Sequence, residues 1–109
     1  MKIEDVPFTT TSWSQIPATE HPSKTGKAKW QTIETGNVRV RIVEYTPGYS
    51  ADHWCDRGHV VLVLKGELLT ELKDGRRFSL QAGMSYQVGS DVEAHRSSTV
   101  SGATLFIVD

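Results

Sequence analysis

The stretch Gly48 to Gly66, GYSADHWCDRGHVVLVLKG, holds two of the chain's four histidines and its only cysteine within a few residues. His53, Cys55 and His59 stand at i, i+2 and i+6. Alternate side chains of an extended strand share a face, so this spacing predicts all three on one side, with Asp52 and Trp54 facing the other way. Two imidazoles and a thiolate on one face form a donor set for a transition metal such as zinc, iron, nickel or copper. Each residue also has a plainer reading. A histidine can simply be held by hydrogen bonds, and a free cysteine is most often a small buried hydrophobe. His59 opens an apolar strand, where an unpaired imidazole is costly, so it needs a partner or a metal.

Around this stretch the chain is short and ordinary in composition. Its 109 residues suffice for one compact domain with its own core and are too few for two ordinary ones. Twelve basic residues nearly cancel thirteen acidic ones, which gives no electrostatic reason to expect nucleic acid or an anionic membrane as partner. One cysteine cannot close an intramolecular disulfide, and no apolar run approaches the roughly 18 residues of a membrane span. The opening MKIEDVPFTTTSWSQ has early acids and no signal-peptide core, so a cytoplasmic, reduced protein is expected.

Residues 1–28 read as an irregular N-terminal arm. Pro7, Pro17 and Pro22 break any long helix, and Val6, Phe8, Trp13 and Ile16 serve as apolar anchors on the barrel or on a partner subunit. His21 reads as a solvated loop residue. Residues 29–109 carry short β-branched or alternating segments between close turn signals, the pattern of an all-β sandwich or barrel. Strands are expected at Trp30 to Glu34, Val38 to Tyr45, His59 to Leu64, Glu67 to Leu72, Arg77 to Leu80, Met84 to Val88, Ala94 to Thr99 and Thr104 to Val108. Thr35-Gly36-Asn37 reads as a tight turn, Lys65-Gly66 as a second, and Asp74-Gly75 as the centre of a two-residue hairpin loop. The run from His59 to Leu64 is almost continuously apolar, as for a strand covered on both faces.

These residues resemble the cupin superfamily. The spacing from His53 through Cys55 and His59 to Gly66 matches the first cupin motif, with cysteine at its second histidine position and histidine at its glutamate position. Gly48 precedes His53 by one residue fewer than usual. The second motif is matched in part: Gly83 and His95 fit its ends with one extra residue between them, and Thr99 replaces its asparagine. More narrowly, Asp52, His53, Trp54 and Cys55 make the chain similar to the small single-domain DHCW motif cupins, although the order here is Asp-His-Trp-Cys.

The resemblance implies an antiparallel cupin barrel, or double-stranded jelly roll, commonly a homodimer, with a metal inside the barrel near one mouth. It adds His95 from the second motif as a fourth ligand beside His53, Cys55 and His59. Three imidazoles and one thiolate suit a divalent transition metal, zinc first, with nickel, iron or copper open. If all four bound a four-coordinate ion, no position would remain for substrate and the site would be structural. Tyr86, with the parity of Met84 and Val88, is a candidate inward hydroxyl for a small-molecule substrate. Arg39 and Arg41, opposite Val38 and Val40, could bind a carboxylate but are expected in solvent. Asp91 and Glu93 are candidate acceptors for imidazole protons. The expected function is a small metal-binding cupin, an enzyme on a small polar molecule or else a non-catalytic binding or sensing protein. A redox role for Cys55 would need an accessible, acidic thiol.

Overall fold

The computed structural model describes residues 2–109. A 3-10 turn at Trp13–Gln15 precedes eight strands: β1 (Thr19–Pro22), β2 (Lys27–Thr35), β3 (Val38–Tyr45), β4 (His59–Leu72), β5 (Arg77–Gln81), β6 (Ser85–Val88), β7 (His95–Ser98) and β8 (Ala103–Val108). Every pairing is antiparallel. The order runs β1-β2-β3-β8-β4-β5, and β6 and β7 also pair with β4.

The long strand β4 makes this a barrel. Its first half pairs with β6 and β8, its second half with β5 and β7, and a register shift between Val63 and Lys65 marks the passage from one sheet to the other. Lys65-Gly66 is therefore a bulge within one strand rather than the expected turn between two. Gly66 stands at φ +77, in the left-handed region that a side chain rarely adopts, and an added Cβ would run into the Gly102 carbonyl oxygen. The strand also alternates where unbroken burial was expected. Val61 and Val63 lie in the core, while Val60 and Leu64 face outward with 42% of their surface exposed.

Inside the barrel, Val43, Val61, Val63, Leu68, Leu80, Leu105 and Ile107 form the core with Ala28 and Ala103. Removing a side chain such as Leu105 from water contributes about 2 kcal/mol. The Gly36-Asn37 turn joins β2 to β3 with positive φ at Gly36 alone. The Asp74 turn is one residue longer than the sequence suggested. Leu72 accepts from the Gly75 N–H at 2.9 Å and donates to Arg76 at 2.8 Å, so Lys73, Asp74 and Gly75 form a three-residue loop with only Gly75 at positive φ.

The N-terminal arm is partly a strand, because β1 pairs with β2 in the register His21↔Ala28. His21 is not a free loop residue: its ring stacks on Trp30 at 3.9 Å between centroids and its Nε2 lies 2.8 Å from Thr19 Oγ1. Trp13 packs edge-on against Phe106, and the Gln31 amide donates to the carbonyls of Trp13 and Ile16. Phe8, expected as an anchor, is 97% exposed.

Candidate functional site

The loop from Tyr49 to Gly58 closes one end of the barrel and does not run as a strand. Isolated bridges hold it, Ser50 to Ser98 and Cys55 to His95. The Cys55 N–H donates to the His95 carbonyl at 2.7 Å, and the His95 N–H donates to the Cys55 carbonyl at 3.0 Å. This pair sets the Cys55 thiol beside the His95 imidazole at the start of β7. His59, the first residue of β4, brings its Nε2 to 2.8 Å from His95 Nε2. The three ligand atoms of Cys55, His59 and His95 lie within 4.8 Å of one another, and both histidines are buried.

His53 does not join them. Its ring is 78% exposed and donates from Nδ1 to Asp52 Oδ1 at 2.6 Å, at the rim of the same cavity. The alternation that predicted His53 beside Cys55 requires a strand, and here the backbone turns between them.

The hydrogen bonds orient both histidines alike. His95 Nδ1 lies 2.9 Å from the Glu93 carbonyl, which can only accept, so Nδ1 carries the proton and Nε2 holds the lone pair. His59 Nδ1 lies 3.4 Å from the Asp109 carboxylate, a long contact of the same sense. The two Nε2 atoms then meet at 2.8 Å. Lone pairs face each other there unless a proton or a cation lies between them. An outer acceptor on each Nδ1, with Nε2 turned inward, is the arrangement that orients metal-ligating histidines. The donor set therefore fits a divalent transition metal.

The thiol belongs to the same chemistry. A hydrogen bond with His95 lowers the Cys55 pKa, against the opposing effect of burial, and the Arg57 backbone N–H assists. The Cys55 hydrogen bond likewise raises that of His95 against burial. Both directions favour a thiolate beside a protonated imidazole, which is the charge distribution that a cation would replace. Tyr86 places its hydroxyl 3.2 Å from His59 Nε2, and burial holds its phenol well above the ordinary range. It is an uncharged O–H at neutral pH.

The cluster opens on a cavity of about 410 Å³, whose lining includes Trp30, Arg39, Arg41, Tyr86 and Asp109. A smaller cavity of about 230 Å³ shares Tyr86 and His95 and is otherwise bounded by residues such as Leu72, Phe78 and Leu80. Arg39 and Arg41, expected in solvent, line the larger cavity and are only 17% and 7% exposed at the side chain. Arg39 grips Asp109 with Nε at 2.9 Å and an Nη at 3.1 Å, and Arg41 adds a third contact at 3.1 Å. Burial would raise the Asp109 pKa, but hydrogen bonds from His59 and Arg39 and the charge of Arg41 outweigh it and hold the carboxyl well below its usual range.

Asp109 was missed in the sequence although its parity shows it. Ala103, Leu105 and Ile107 face the core on β8, and Asp109 continues that alternation. Of the two candidate acceptors, Glu93 serves through its backbone carbonyl, while its carboxylate pairs with Arg76 at 3.1 Å. Trp54 lies under the Arg96 guanidinium at 4.2 Å.

No protein-family model matches the sequence, and no curated protein matches it. The fold does have solved counterparts. Fe(II)-HppE with the alternative substrate (S)-1-HPP superposes with a TM-score of 0.76 at 13% identity, covering 99% of this chain and 62% of that one. The sugar phosphate isomerase of the cupin superfamily from Silicibacter pomeroyi gives 0.69 at 15% identity, over 92% of this chain and 74% of the other. A cupin-2 domain containing protein from Shewanella frigidimarina gives 0.60 at 19% identity, over 82% of each chain. At these identities the likeness establishes the fold: this chain is an all-β cupin barrel. Its barrel holds a Cys55, His59 and His95 cluster able to bind a metal ion.

Proposed function

We propose that this chain is a small metal-binding cupin, of the kind the DHCW resemblance implies, whose site binds and acts on a small polar molecule. The observation that carries it is the convergence of Cys55, His59 and His95 within 4.8 Å beside an open cavity. Three protein donors leave a position free in a four-coordinate ion, as catalytic sites do. The closed, structural site expected from four donors loses its support with His53 at the rim. A thiolate with two imidazoles favours zinc, with iron, nickel or copper as outcomes of the test. A divalent ion held there supplies Lewis acidity toward a bound oxygen. Tyr86, as an uncharged donor beside His59, orients the ligand by a hydrogen bond.

Among the described residues no helix is long and apolar enough to cross a membrane. A free thiol such as that of Cys55 persists most readily in a reducing compartment, which favours the cytoplasm. Outward Val60 and Leu64 on the central strand β4 favour a homodimer that covers them.

Elemental analysis of purified protein, beside Cys55→Ala, His59→Ala, His95→Ala and His53→Ala, tests the metal. Stoichiometric metal is expected in the wild type and in His53→Ala, with loss in the other three. A wild type that stays metal-free after incubation with zinc, iron, nickel and copper ions refutes the reading. A loaded ion whose fourth position is filled by protein would favour the non-catalytic, sensing alternative.

A further inference from the structure

We propose that the arginine-lined side of the larger cavity binds the carboxylate of a small organic acid. The proposal deepens the function above and rests on its reading of the cavity as the ligand site.

Charge carries the argument first. Arg39, Arg41 and Arg57 all converge on one anion, the wholly buried carboxylate of Asp109. Three cations on one carboxylate leave two positive charges without a counterion at one end of the cavity. Asp56, the other carboxylate on the lining, is exposed and makes no ion pair among the described residues. Arg96, also on the lining, is taken up by Glu71 at 3.1 Å. Arg39 and Arg41 are the confined pair, and like charge held out of water is costly unless an anion compensates it.

The donors themselves are incompletely used. Arg41 is 6% exposed, yet its buried Nε has no hydrogen-bond partner. Arg57 touches Asp109 only through Nε at 3.5 Å, and its side chain is 55% exposed, so its two Nη groups remain for a ligand. Trp30 supports the guanidinium groups of Arg41 and Arg39 at 4.5 and 5.6 Å from the ring centre, which restrains their planes. The existing Arg39 and Asp109 pair is a two-pronged grip on a carboxylate, the planar geometry for which guanidinium groups are suited.

Position connects this end to the metal cluster. Asp109 Oδ2, where the arginines meet, also accepts from His59 Nδ1. An acid anchored at Arg57 thus lies one side chain away from the inward donors, within one cavity of about 410 Å³.

Calorimetric titration at fixed ionic strength tests this, with acetate, lactate, succinate and benzoate as probes, each compared with its neutral amide. The protein is titrated as purified and again after chelation. At least one acid is expected to bind tenfold or more tightly than its amide, and Arg57→Gln is expected to weaken that acid at least tenfold while leaving metal content and circular dichroism unchanged. Arg39→Gln provides a second variant with the same expected direction. Equal binding of acid and amide throughout the panel, wild-type affinity in both variants, or inorganic phosphate displacing every acid at lower concentration would each overturn the carboxylate assignment. Arg57-dependent binding in chelated protein upholds this site even if metal analysis fails, and loaded protein that binds no acid leaves the metal reading standing alone.

Discussion

His59 Nε2 and His95 Nε2 face each other at 2.8 Å, each histidine having committed its Nδ1 to an acceptor on the far side. Without a metal such a contact holds only with a proton between the rings or on one of them, and the lowered pKa of the Cys55 thiol, hydrogen-bonded to His95, favours a negative charge beside that proton. Zinc entering the cluster must displace the proton. Zinc titration of chelated protein at pH 7, in buffers of differing ionisation enthalpy, is therefore expected to release on the order of one proton per ion bound. Release near zero would mean that the ion binds elsewhere.

Asp109 links the arginines to the Cys55, His59 and His95 cluster, so its replacement should affect both. Asp109→Asn leaves Arg39 and Arg41 facing a neutral amide in a buried site, and breaking a buried pair in this way costs about 3 kcal/mol. It also removes the negative charge facing His59 and leaves one amide oxygen to be shared by His59, Arg39 and Arg41, a change expected to lower metal affinity about 10- to 100-fold. Arg57→Gln is the contrast: its pair is long and exposed, and urea unfolding should move by less than about 1 kcal/mol. Equal stability losses in the two variants would contradict the buried network.

Alkaline pH should report on Tyr45, which is half-buried against the core. Burial raises the Tyr45 pKa far above its ordinary value, with the stacked Tyr49, 3.9 Å away, adding to the effect. The unfolded chain releases the Tyr45 proton near pH 10 while the folded chain keeps it, so the unfolded state binds fewer protons and stability falls as pH rises. The share due to Tyr45 is fully present as stability below pH 10 and declines above it by up to about 1.4 kcal/mol per pH unit. Denaturation measured from pH 8 to 11 should show a shallower decline in Tyr45→Phe than in the wild type. Parallel declines would place the Tyr45 hydroxyl in water.

The barrel was readable because its strands are punctuated locally. Gly36-Asn37, Asp74-Gly75 and Gly83 each mark a turn by their own chemistry, and the apolar alternation of Ala103 to Ile107 needs no distant partner. Errors arose where a residue's environment is supplied from far along the chain. Arg39 and Arg41 share a face with the core residue Val43, while Val40 and Ile42 turn toward the other side. Apolar-in reading chose the wrong face because it could not see Asp109, about 70 residues away, neutralising the guanidinium groups. That Cys55, His59 and His95 come together was legible from donor type and, for His95, from the motif resemblance. His53 was misplaced because parity is a property of strands, and the segment carrying it is a loop held by single bridges.

Gly66 is the motif glycine whose role the fold now explains, and its replacement gives the sharpest test of the long β4. The residue sits where that strand leaves one sheet for the other, at φ +77, with its Cα against the Gly102 backbone. Gly66→Ala would meet two penalties at once, a left-handed backbone and a Cβ pressed on a carbonyl that cannot rotate away. A loss on the order of 3 kcal/mol or more is expected. Gly75→Ala shares the positive φ, but its Cβ would meet open space, so only the conformational penalty of about 1 kcal/mol should appear. Chemical denaturation of the two variants separates backbone strain from steric contact. If they lose equal stability, the close approach of β4 to the Gly102 turn does not exist in solution, and the bulge would not be what lets one strand serve both sheets.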